Sequence, residues 1–597
     1  MNDSTNEKII HEIMDIVRGP MTAYEALIFS LQLLCWARIS PDDRMPDGLK
    51  IQSKQFADPN WVRDVWQELG QRPGIIGAAY SGGKFPARLE PSRLGAAIAL
   101  CMSLAGTGVL DNFDPTDSFS QIFGREAMEY YLPSELADAM AALARVKSGS
   151  CLYAPWDHSA QLAGRAVAQG ASAFIETMHD PMLPALISMF ATGDIEIAQS
   201  DPIREPSAVV AGKLRQFDAC AAFPPLGLRY TSEVVDRDWY NRFRDHSSSG
   251  AVLAVRHIVA QTSGRAVIAV PFSLLFSPGG ERALREELVK QGHIEAVISM
   301  PSGLLANPSI SFALLLLDMA ERHKSIRFIS AESERFRQPI PKARARARLI
   351  DIDGIVARVN GAITDELVAE VTTETVLSAD CLLQVSRYVL PEWQRKIQAV
   401  INANDTLLLG DVVSIVRPMP PSTSIDTFNA WEIMTSDLPE MGYIPTPTKE
   451  VLVDKSGATK KRLFLRPYDV LLIFKGSVGK VGITPENVPE PGEGGWIAGQ
   501  SAVVLRVNNP EQVNPKALAI YLRSDLGQRL LESISVPGAT IPMIQLRELQ
   551  KLPVIVPPIK DATEIGKILD DQSKIQGEIE QLRAKQIELA RSIWTLE

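Results

Sequence analysis

Residues 217–227 read Phe217-Asp218-Ala219-Cys220-Ala221-Ala222-Phe223-Pro224-Pro225-Leu226-Gly227. The small and apolar residues at the start of this stretch predict a buried β-strand. The two prolines fix φ at about −65° and offer no backbone donor, so they end the strand and open a loop. One interpretation is a strand that simply turns into a loop. The other is that the strand end carries chemistry.

The same residues resemble the catalytic strand of adenine-N6 DNA methyltransferases, in which a hydrophobic run ends in Asn-Pro-Pro-Phe-Gly. In that family the Asn oxygen and the next backbone carbonyl accept both hydrogens of the adenine amine, which frees its lone pair to attack a methyl sulfonium. Phe223 stands in the position of the Asn and has no such oxygen. The resemblance therefore implies a remnant catalytic motif without its key polar group, made of Phe223, Pro224, Pro225 and Leu226.

Composition limits the possible function classes. The chain has 597 residues, which predicts several domains because single cores rarely exceed about 250–300 residues. The net charge of −10 excludes a global basic field, so any nucleic-acid surface must be local. The polar N-terminus is unlike a signal peptide, and the apolar stretches 23–36 and 94–110 are too short to span a membrane, so we expect buried helices in a cytoplasmic protein. The cysteines form no disulfide or zinc pattern: Cys35, Cys101, Cys151, Cys220 and Cys381.

The pattern of apolar residues changes near residue 148. Residues 1–147 are predicted to form a helical domain because apolar stripes recur at helical spacing. Residues 148–400 are assigned to an α/β core and its extension, because short apolar runs alternate with helical patterns as in a mostly parallel sheet. The predicted strands are 150–154, 173–175, 195–198, 219–223, 266–271, 294–300, 313–318 and 326–329, and the predicted helices are 159–169, 181–190 and 281–291.

The rest of the chain predicts an extension, a further domain and a helix. The basic stretch Arg335 to Arg348 is interpreted as an exposed linker, with phosphate contact as the alternative, and a helix is predicted at Glu366–Glu370. Residues 405–560, with short strands and many Gly and Pro, predict an α+β domain rich in strands. Residues 561–597 predict a long coiled-coil helix, because its seam positions alternate at spacings of four and three: Ile568, Gln572, Ile575, Ile579, Leu582, Gln586, Leu589, Ile593 and Leu596.

Residues 1 to about 390 resemble the modification subunit of type I restriction-modification systems. The resemblance rests on the order strand, Pro, Leu-Phe, helix, strand, Pro at 264–301, and on a short closing motif made of Leu383, Ser386, Arg387 and Tyr388. It implies an N-terminal helical bundle followed by a Rossmann-like methyltransferase core that uses S-adenosylmethionine.

The cofactor-binding half departs from that family. The family loop reads Asp-Pro-x-Cys-Gly-x-Gly, and its glycines let the backbone approach the cofactor. This chain has Ala154-Pro155-Trp156-Asp157-His158-Ser159-Ala160 instead. The remnant cofactor-binding positions that the resemblance implies are Pro155, Asp157, Glu176 for the ribose hydroxyls and Asp201 near the adenine ring, with a solvated loop acid as the alternative for the last two. Because both the donor loop and the acceptor are altered, we expect a methyltransferase fold without methyl transfer and without a bound cofactor.

Residues 405–597 resemble one half of a type I specificity subunit, which consists of one target-recognition domain and one pairing helix. The matching segments are 409–413, 466–472, 475–480, 538–542, 546–549 and 552–558. The resemblance implies a domain that reads DNA in the major groove, while Gly476 and Gly479 are expected to shape a turn. The candidate DNA contacts, for which a solvated basic rim is the alternative, are Lys455, Lys460, Lys461, Arg462, Arg466, Lys475 and Lys480.

Three functions are compatible with the sequence. The first is a sequence-specific DNA-binding component of a bacterial restriction-modification-like or anti-phage defence system whose methyltransferase-like core has lost catalysis. Its expected partners are double-stranded DNA, a homodimer or hetero-complex mate through the C-terminal helix, and a nuclease, helicase or modification subunit. The second is an active S-adenosylmethionine-dependent adenine-N6 DNA methyltransferase with atypical motifs. The third is a protein-interaction scaffold that does not bind DNA. No metal site is expected.

Overall fold

The protein is described by a computed structural model that divides into two compact units, Met1–Pro391 and Glu392–Glu597. The described residues are 3–19, 21–51, 55–82, 85–86, 89–119, 131–244, 247–305, 307, 310–341, 345–390, 392–418, 426–454, 458–535, 543–557 and 559–591. The fold class predicted from the sequence is confirmed: helices at the N-terminus, a large mostly parallel sheet, and an α+β C-terminal region.

The N-terminal part of the first unit is helical, with α1 Asp3–Val17, α2 Ala23–Ile39, α3 Pro59–Gly70, α4 Ile75–Tyr80, α5 Pro91–Gly106 and α6 Ser134–Ala144. Nearly all of α2 is apolar and buried, as expected for a helix packed on every side. Its start is fixed by a capping box in which Thr22 and Glu25 each accept the other's backbone N–H. Arg38 near its end donates to the carbonyls of Leu110 and Phe190, which ties α2 to the following elements.

A nine-stranded sheet forms the centre of the first unit. Its strands are β1 Cys151–Pro155, β2 Ser172–Thr177, β3 Ile195–Gln199, β6 Phe217–Ala222, β7 Thr262–Pro271, β8 Ile294–Ser299, β9 Phe312–Asp318, β10 Ser325–Ser330 and β13 Val368–Thr372. They lie in the order β13-β10-β8-β9-β7-β6-β1-β2-β3. β9 is antiparallel to both of its neighbours and β13 is antiparallel to β10, while the remaining pairs are parallel.

Both faces of this sheet are buried. Leu152 and Ala154 of β1 face the core that includes the N-terminal helices, and Tyr153 between them faces a second core. Strands buried on both sides are expected to be apolar throughout, which is why the sequence predicted them well. The covering helices are α7 Gln161–Ala168, α8 Met182–Ser188, α9 Ser232–Asp236, α10 Gly250–Gln261, α11 Gly280–Gln291, α12 Ile352–Val359, α13 Thr373–Ser378 and α14 Val385–Tyr388.

Each strand predicted between 150 and 330 is present, but other features differ from the predictions. The helix predicted at Glu366–Glu370 is wrong: Val368–Thr372 forms β13 on the free edge of β10, because its β-branched residues fit a sheet and β10 supplies the hydrogen bonds. The stretch interpreted as a linker forms a hairpin of β11 Arg337–Pro339 and β12 Ala347–Leu349. The helix α10 was not predicted, nor was the small hairpin of β4 Val209–Val210 and β5 Lys213–Leu214.

The second unit is built from short strands around two small cores. A four-stranded sheet has the order β15-β21-β18-β19, a three-stranded sheet has the order β17-β16-β20, and β14 pairs with β22. The strands are β14 Thr406–Leu408, β15 Val413–Val416, β16 Thr427–Ile433, β17 Lys449–Asp454, β18 Val470–Ile473, β19 Val481–Ile483, β20 Trp496–Ala498, β21 Ala502–Val507 and β22 Pro553–Ile555. The helices are α15 Glu392–Asn402, α16 Leu409–Val412, α17 Pro515–Arg523, α18 Asp525–Ser533, α19 Leu546–Leu549 and α20 Ile559–Arg591.

The first part of the long helix α20 packs on its own domain. Leu569 is fully buried in the domain core, and Lys516 of α17 binds Asp570 at 2.9 Å. The predicted seam lies elsewhere on the helix surface, with Ile575 and Leu582 57% and 64% exposed. Ile593 and Leu596 of that seam lie outside the described residues. Among the described residues, no helix is long and apolar enough to cross a membrane.

Candidate active site and nucleic-acid interface

The strand order places one reversal point in the large sheet. From β1 the chain moves outward to β2 and β3, then returns to the other side of β1 as β6. In open α/β sheets, ligands bind at the carboxyl ends of the strands at such a point. Here that position is bordered by the loop after Pro155 on one side and by Phe223 on the other.

Phe223 fills the acceptor position with an aromatic ring. Its side chain is half-buried and packs edge-on against Phe312, with ring centroids 5.5 Å apart. Pro224 is buried, Pro225 is exposed, and Leu226 is half-buried. The side chain at this position therefore offers carbon atoms and no hydrogen-bond acceptor to a base.

In the loop after β1, the carboxylate of Asp157 occupies the start of α7. Asp157 is buried, and its carboxylate accepts the backbone N–H groups of Gln161, Leu162 and Ala163 at 2.9–3.0 Å. Burial raises the pKa of Asp157 to about 6, and these three donors act in the opposite direction. A helix N-terminus after a parallel strand commonly binds a ligand anion, but this one already holds a side chain.

The backbone of this loop keeps left-handed turns without glycine. Trp156 has φ 62° and Ala160 has φ 52°, conformations that cost a residue with a Cβ about 1 kcal/mol or more. His158 hydrogen-bonds Thr177 at 2.7 Å and packs edge-on against His179. Its burial lowers the pKa of His158 to about 3, with the neighbouring His179 adding to the effect, so it is neutral near pH 7.

Glu176, at the end of β2, is fully buried and bound entirely by the chain itself. One carboxylate oxygen accepts from the hydroxyls of Ser200 and Ser207 and from the Ser207 N–H, and the other accepts from the Tyr153 hydroxyl. A carboxylate has about four acceptor sites, so these donors saturate it. Asp201 is also engaged: it accepts from Tyr230 at 3.2 Å and from the Ile203 N–H at 2.9 Å, and it pairs with Arg204 at 3.2 Å.

A buried polar chain continues from Glu176 through the second core. His257 contacts Tyr153 through Nε2 and Arg242 through Nδ1, each at 2.7 Å. Because a guanidinium only donates, Nδ1 must accept, which leaves the proton on Nε2 to be donated to Tyr153. Burial, together with Arg242, holds the pKa of His257 well below its usual range, so the ring stays neutral. Arg242 in turn pairs with buried Asp238 at 2.8 Å.

The candidate metal ligands among the described residues lie at the opposite end of the sheet. Glu295, Asp318 and His323 bring donor atoms within 4.8 Å of one another. Arg265 and Arg145 pair with Glu295 at 2.5 and 3.5 Å, so the carboxylate is already neutralised by two guanidinium groups. The arrangement is an ion-pair cluster of Glu295 with two arginines.

The candidate DNA contacts of the second unit fall into three groups. Lys461, Arg462, Arg466 and Lys475 are exposed, and no ion pair joins them to other described residues. Lys480 is half-buried and donates to the carbonyl of Thr435 at 3.0 Å, so it has a structural partner. Lys455 and the side chain of Lys460 lie outside the described residues.

The loops that carry these cations are firmly held. Asp469 is buried and binds Arg506 through two hydrogen bonds at 2.9 and 2.6 Å, and it also accepts the Arg466 N–H at 2.8 Å. Arg506 donates further to the carbonyls of Arg462 and Phe464. Gly476 and Gly479 have φ values of 88° and 91°, as expected of residues that shape the turn between β18 and β19.

Comparison with known proteins adds two family matches. Residues 176–396 match the family described as N-6 DNA Methylase, and residues 432–589 match the family described as Type I restriction modification DNA specificity domain. This chain joins an N-6 DNA methylase domain to a type I specificity domain. The methylase match begins at Glu176, beyond the altered loop 154–160.

One solved structure agrees with the fold of the methylase domain, and two others are reported beside it. The type I restriction-modification system methyltransferase subunit from Streptococcus thermophilus is 16% identical with a TM-score of 0.55, and the match covers 65% of this chain and 100% of that one. A modification subunit from Vibrio vulnificus YJ016 is 14% identical with a TM-score of 0.48, covering 63% and 92%. The S subunit from M. genitalium is 17% identical with a TM-score of 0.21, covering 32% and 42%. No curated protein matches the chain.

Sequence reasoning missed two polar clusters in these domains. In the methylase domain it missed the chain of Tyr153, His257 and Arg242, whose members are far apart in sequence. In the specificity domain it missed the anchoring pair of Asp469 and Arg506. Asp469 stands directly before the apolar strand β18. An acid in that position is the one local pattern that could have indicated a buried ion pair.

Proposed function

We propose that this protein is a sequence-specific DNA-binding component of a bacterial restriction-modification-like or anti-phage defence system, acting in the cytoplasm. Its specificity domain reads DNA, and its methylase domain serves as a scaffold or clamp that has lost methyl transfer. The observation that carries the loss of catalysis is Glu176, which is fully buried and saturated by donors of its own chain.

The residues at the reversal point do not fit S-adenosylmethionine. A ribose diol needs acceptor positions on a carboxylate, and those of Glu176 are occupied by Tyr153, Ser200 and Ser207. The start of α7 is occupied by Asp157, and the glycine positions of the family loop carry the Cβ atoms of His158 and Ala160. Binding the cofactor would require several buried hydrogen bonds to break, each costing about 1–3 kcal/mol.

DNA binding is supported by the cations that the specificity domain leaves exposed. Lys461, Arg462 and Arg466 lie in a segment whose backbone is held by the Asp469–Arg506 pair, and Lys475 lies in the turn after β18; all four are exposed. Lys and Arg side chains on loops mostly contact phosphates and thereby orient a protein on the duplex. The net charge of the chain is −10, so this local set must overcome a repulsive average field.

The seam of α20 supports assembly with a second helix. Ile568, Ile575, Ile579 and Leu582 are 38–64% exposed, which is more apolar surface than a solitary solvated helix needs. Pairing with another copy would give a homodimer with two recognition domains, and pairing with a different subunit would give a hetero-complex. Light scattering on the wild type and on Ile575→Asp with Leu582→Asp tests this, and an unchanged mass in the variant would argue against pairing through the seam.

The experiment that tests the proposed function combines a DNA titration with a methyl-transfer assay on the full chain. Duplex DNA binding measured at several salt concentrations should weaken as salt rises, because phosphate contacts release counterions. Radiolabelled S-adenosylmethionine should leave no label on the same DNA. If the chain binds no duplex DNA at any salt concentration, the scaffold function without DNA binding is favoured. Labelled DNA would favour the active methyltransferase.

A further inference from the structure

A groove in the second unit lies outside the loops that carry the candidate DNA contacts. It is a cavity of ≈530 Å³ between the three-stranded sheet and α20. That volume lies within the range of about 300–1,000 Å³ typical of ligand pockets. Its lining consists of Trp431, Pro439, Tyr443, Ile444, Pro445, Thr446, Pro485, Asn487, Pro489, Gly494, Trp496, Ser573, Gln576, Gly577 and Glu580.

The wall of this groove is aromatic and stiff. Trp431 and Trp496 are direct register partners on the neighbouring strands β16 and β20. Trp496 is buried in the core behind the wall, so the half-buried Trp431 is the indole that the groove presents. Tyr443 adds a third ring, and four prolines of the lining restrict the backbone around it. Electron-rich rings attract cations, most strongly Trp, and planar guanidinium groups also stack on them. The wall therefore suits a cationic side chain with an apolar stem.

The rim of the groove is acidic. Glu580 lines it directly, and no Lys or Arg is among the lining residues. Exposed glutamates also stand next to lining residues in the sequence: Glu440, Glu486, Glu490, Glu493 and Glu578. The one basic residue in a comparable position, Lys574, is paired with Asp571 at 3.4 Å. Such a field repels phosphates and attracts cations, so the groove is a poor surface for DNA.

The chain already uses this chemistry beside the groove. The ammonium of Lys516 lies 5.9 Å from the ring centroid of Tyr443 and 5.0 Å from that of Tyr468. It is held there by Asp570, which also accepts the Tyr443 hydroxyl. The groove lining likewise contains an aromatic ring, Trp431, and a carboxylate, Glu580.

We propose that this groove binds an arginine-bearing segment of a partner protein. The guanidinium lies against the half-buried Trp431 ring, and the Glu580 carboxylate neutralises its charge. Arginine is favoured over lysine because its planar group stacks and is more weakly hydrated than an ammonium.

Two fluorescent peptides test this on the full chain by anisotropy. One carries the core Ala-Leu-Arg-Ala-Arg-Leu with capped ends, and the other carries citrulline in place of each arginine. We expect saturable binding of the arginine peptide and affinity at least about tenfold weaker for the citrulline peptide. Equal affinities, or no saturable binding of the arginine peptide up to about 1 mM, would overturn the proposal.

A matched pair of variants locates the binding. Glu580→Lys reverses the charge that lines the groove, and Glu588→Lys makes the same change farther along the exposed helix. We expect about tenfold weaker peptide binding in the first variant and wild-type binding in the second, with duplex DNA unable to displace the peptide. Displacement by duplex DNA, together with tighter DNA binding by Glu580→Lys, would assign the groove to the DNA surface instead. Retained DNA binding in Glu580→Lys also separates this result from the proposed DNA-binding function.

Discussion

Polar groups in the methylase domain are buried and hydrogen-bonded within the chain, whereas several cations of the specificity domain are exposed. At the reversal point of the large sheet, Glu176 and Asp157 are buried and bound by donors of their own chain. In the specificity domain, Lys461 and Lys475 are exposed, and no ion pair joins them to other described residues. Groups that satisfy one another contribute to stability, whereas groups left exposed remain available to a partner. We therefore expect the first set to serve folding and the second to serve binding.

The largest expected effect comes from Glu176→Gln. The amide would turn a donor toward the Tyr153 or serine hydroxyls and leave buried groups unpaired, so the unfolding free energy should fall by about 3–5 kcal/mol. Urea denaturation of the wild type and the variant measures this. Glu233→Gln, at an exposed position of the same unit, is the control and should change little. A variant with wild-type stability would contradict the account, because it would mean that the hydrogen bonds of Glu176 do not contribute to folding.

Asp157 should make stability depend on pH in a defined direction. Its pKa is raised from 3.8 to about 6 in the folded protein, so the native state binds the proton more tightly than the unfolded chain does. Its contribution to stability is present below about pH 4 and is lost as pH rises through about 6. Relative to Asp157→Asn, the wild type should lose about 2–3 kcal/mol between these limits. A flat difference curve from urea titrations would show that the carboxylate is not buried.

The fold could be predicted from the sequence to the extent that it depends on local pattern. Strands such as β8 are apolar on both faces, and the sequence itself shows that Phe223 stands where the similar methyltransferases have Asn. The hydrogen bonds to the Glu176 carboxylate could not be predicted from the sequence, because Tyr153 and Ser207 lie 23 and 31 residues away and contact it only in the folded sheet. Strand β13 was missed although it contains β-branched residues, because its partner β10 is distant in sequence.

Two cations of the specificity domain should carry measurable DNA affinity. Lys461→Ala with Arg462→Ala removes two candidate phosphate contacts, which should weaken duplex binding about tenfold and lower the salt slope by about 2. Lys551→Ala removes a lysine that is paired with Glu548 and serves as the control. Wild-type affinity for duplex DNA in the double variant would exclude Lys461 and Arg462 from the DNA interface.

Phe223→Asn should have no effect on methyl transfer. The substitution restores the missing oxygen at the end of β6, but the donor loop and Glu176 remain occupied by the chain itself. Transfer of labelled methyl groups to duplex DNA is the measurement, with the wild type beside it. Labelled DNA in this single variant would show that the cofactor site is open and that only the acceptor is missing.

Titration of the full chain with S-adenosylmethionine, followed by thermal unfolding, tests the central claim most directly. A ligand at 100 times its dissociation constant stabilises a protein by about 2.7 kcal/mol, which shifts the unfolding transition measurably. The saturated Glu176 and the occupied start of α7 predict no shift up to about 1 mM ligand. A saturable shift of the methylase-domain transition within that range would contradict the account.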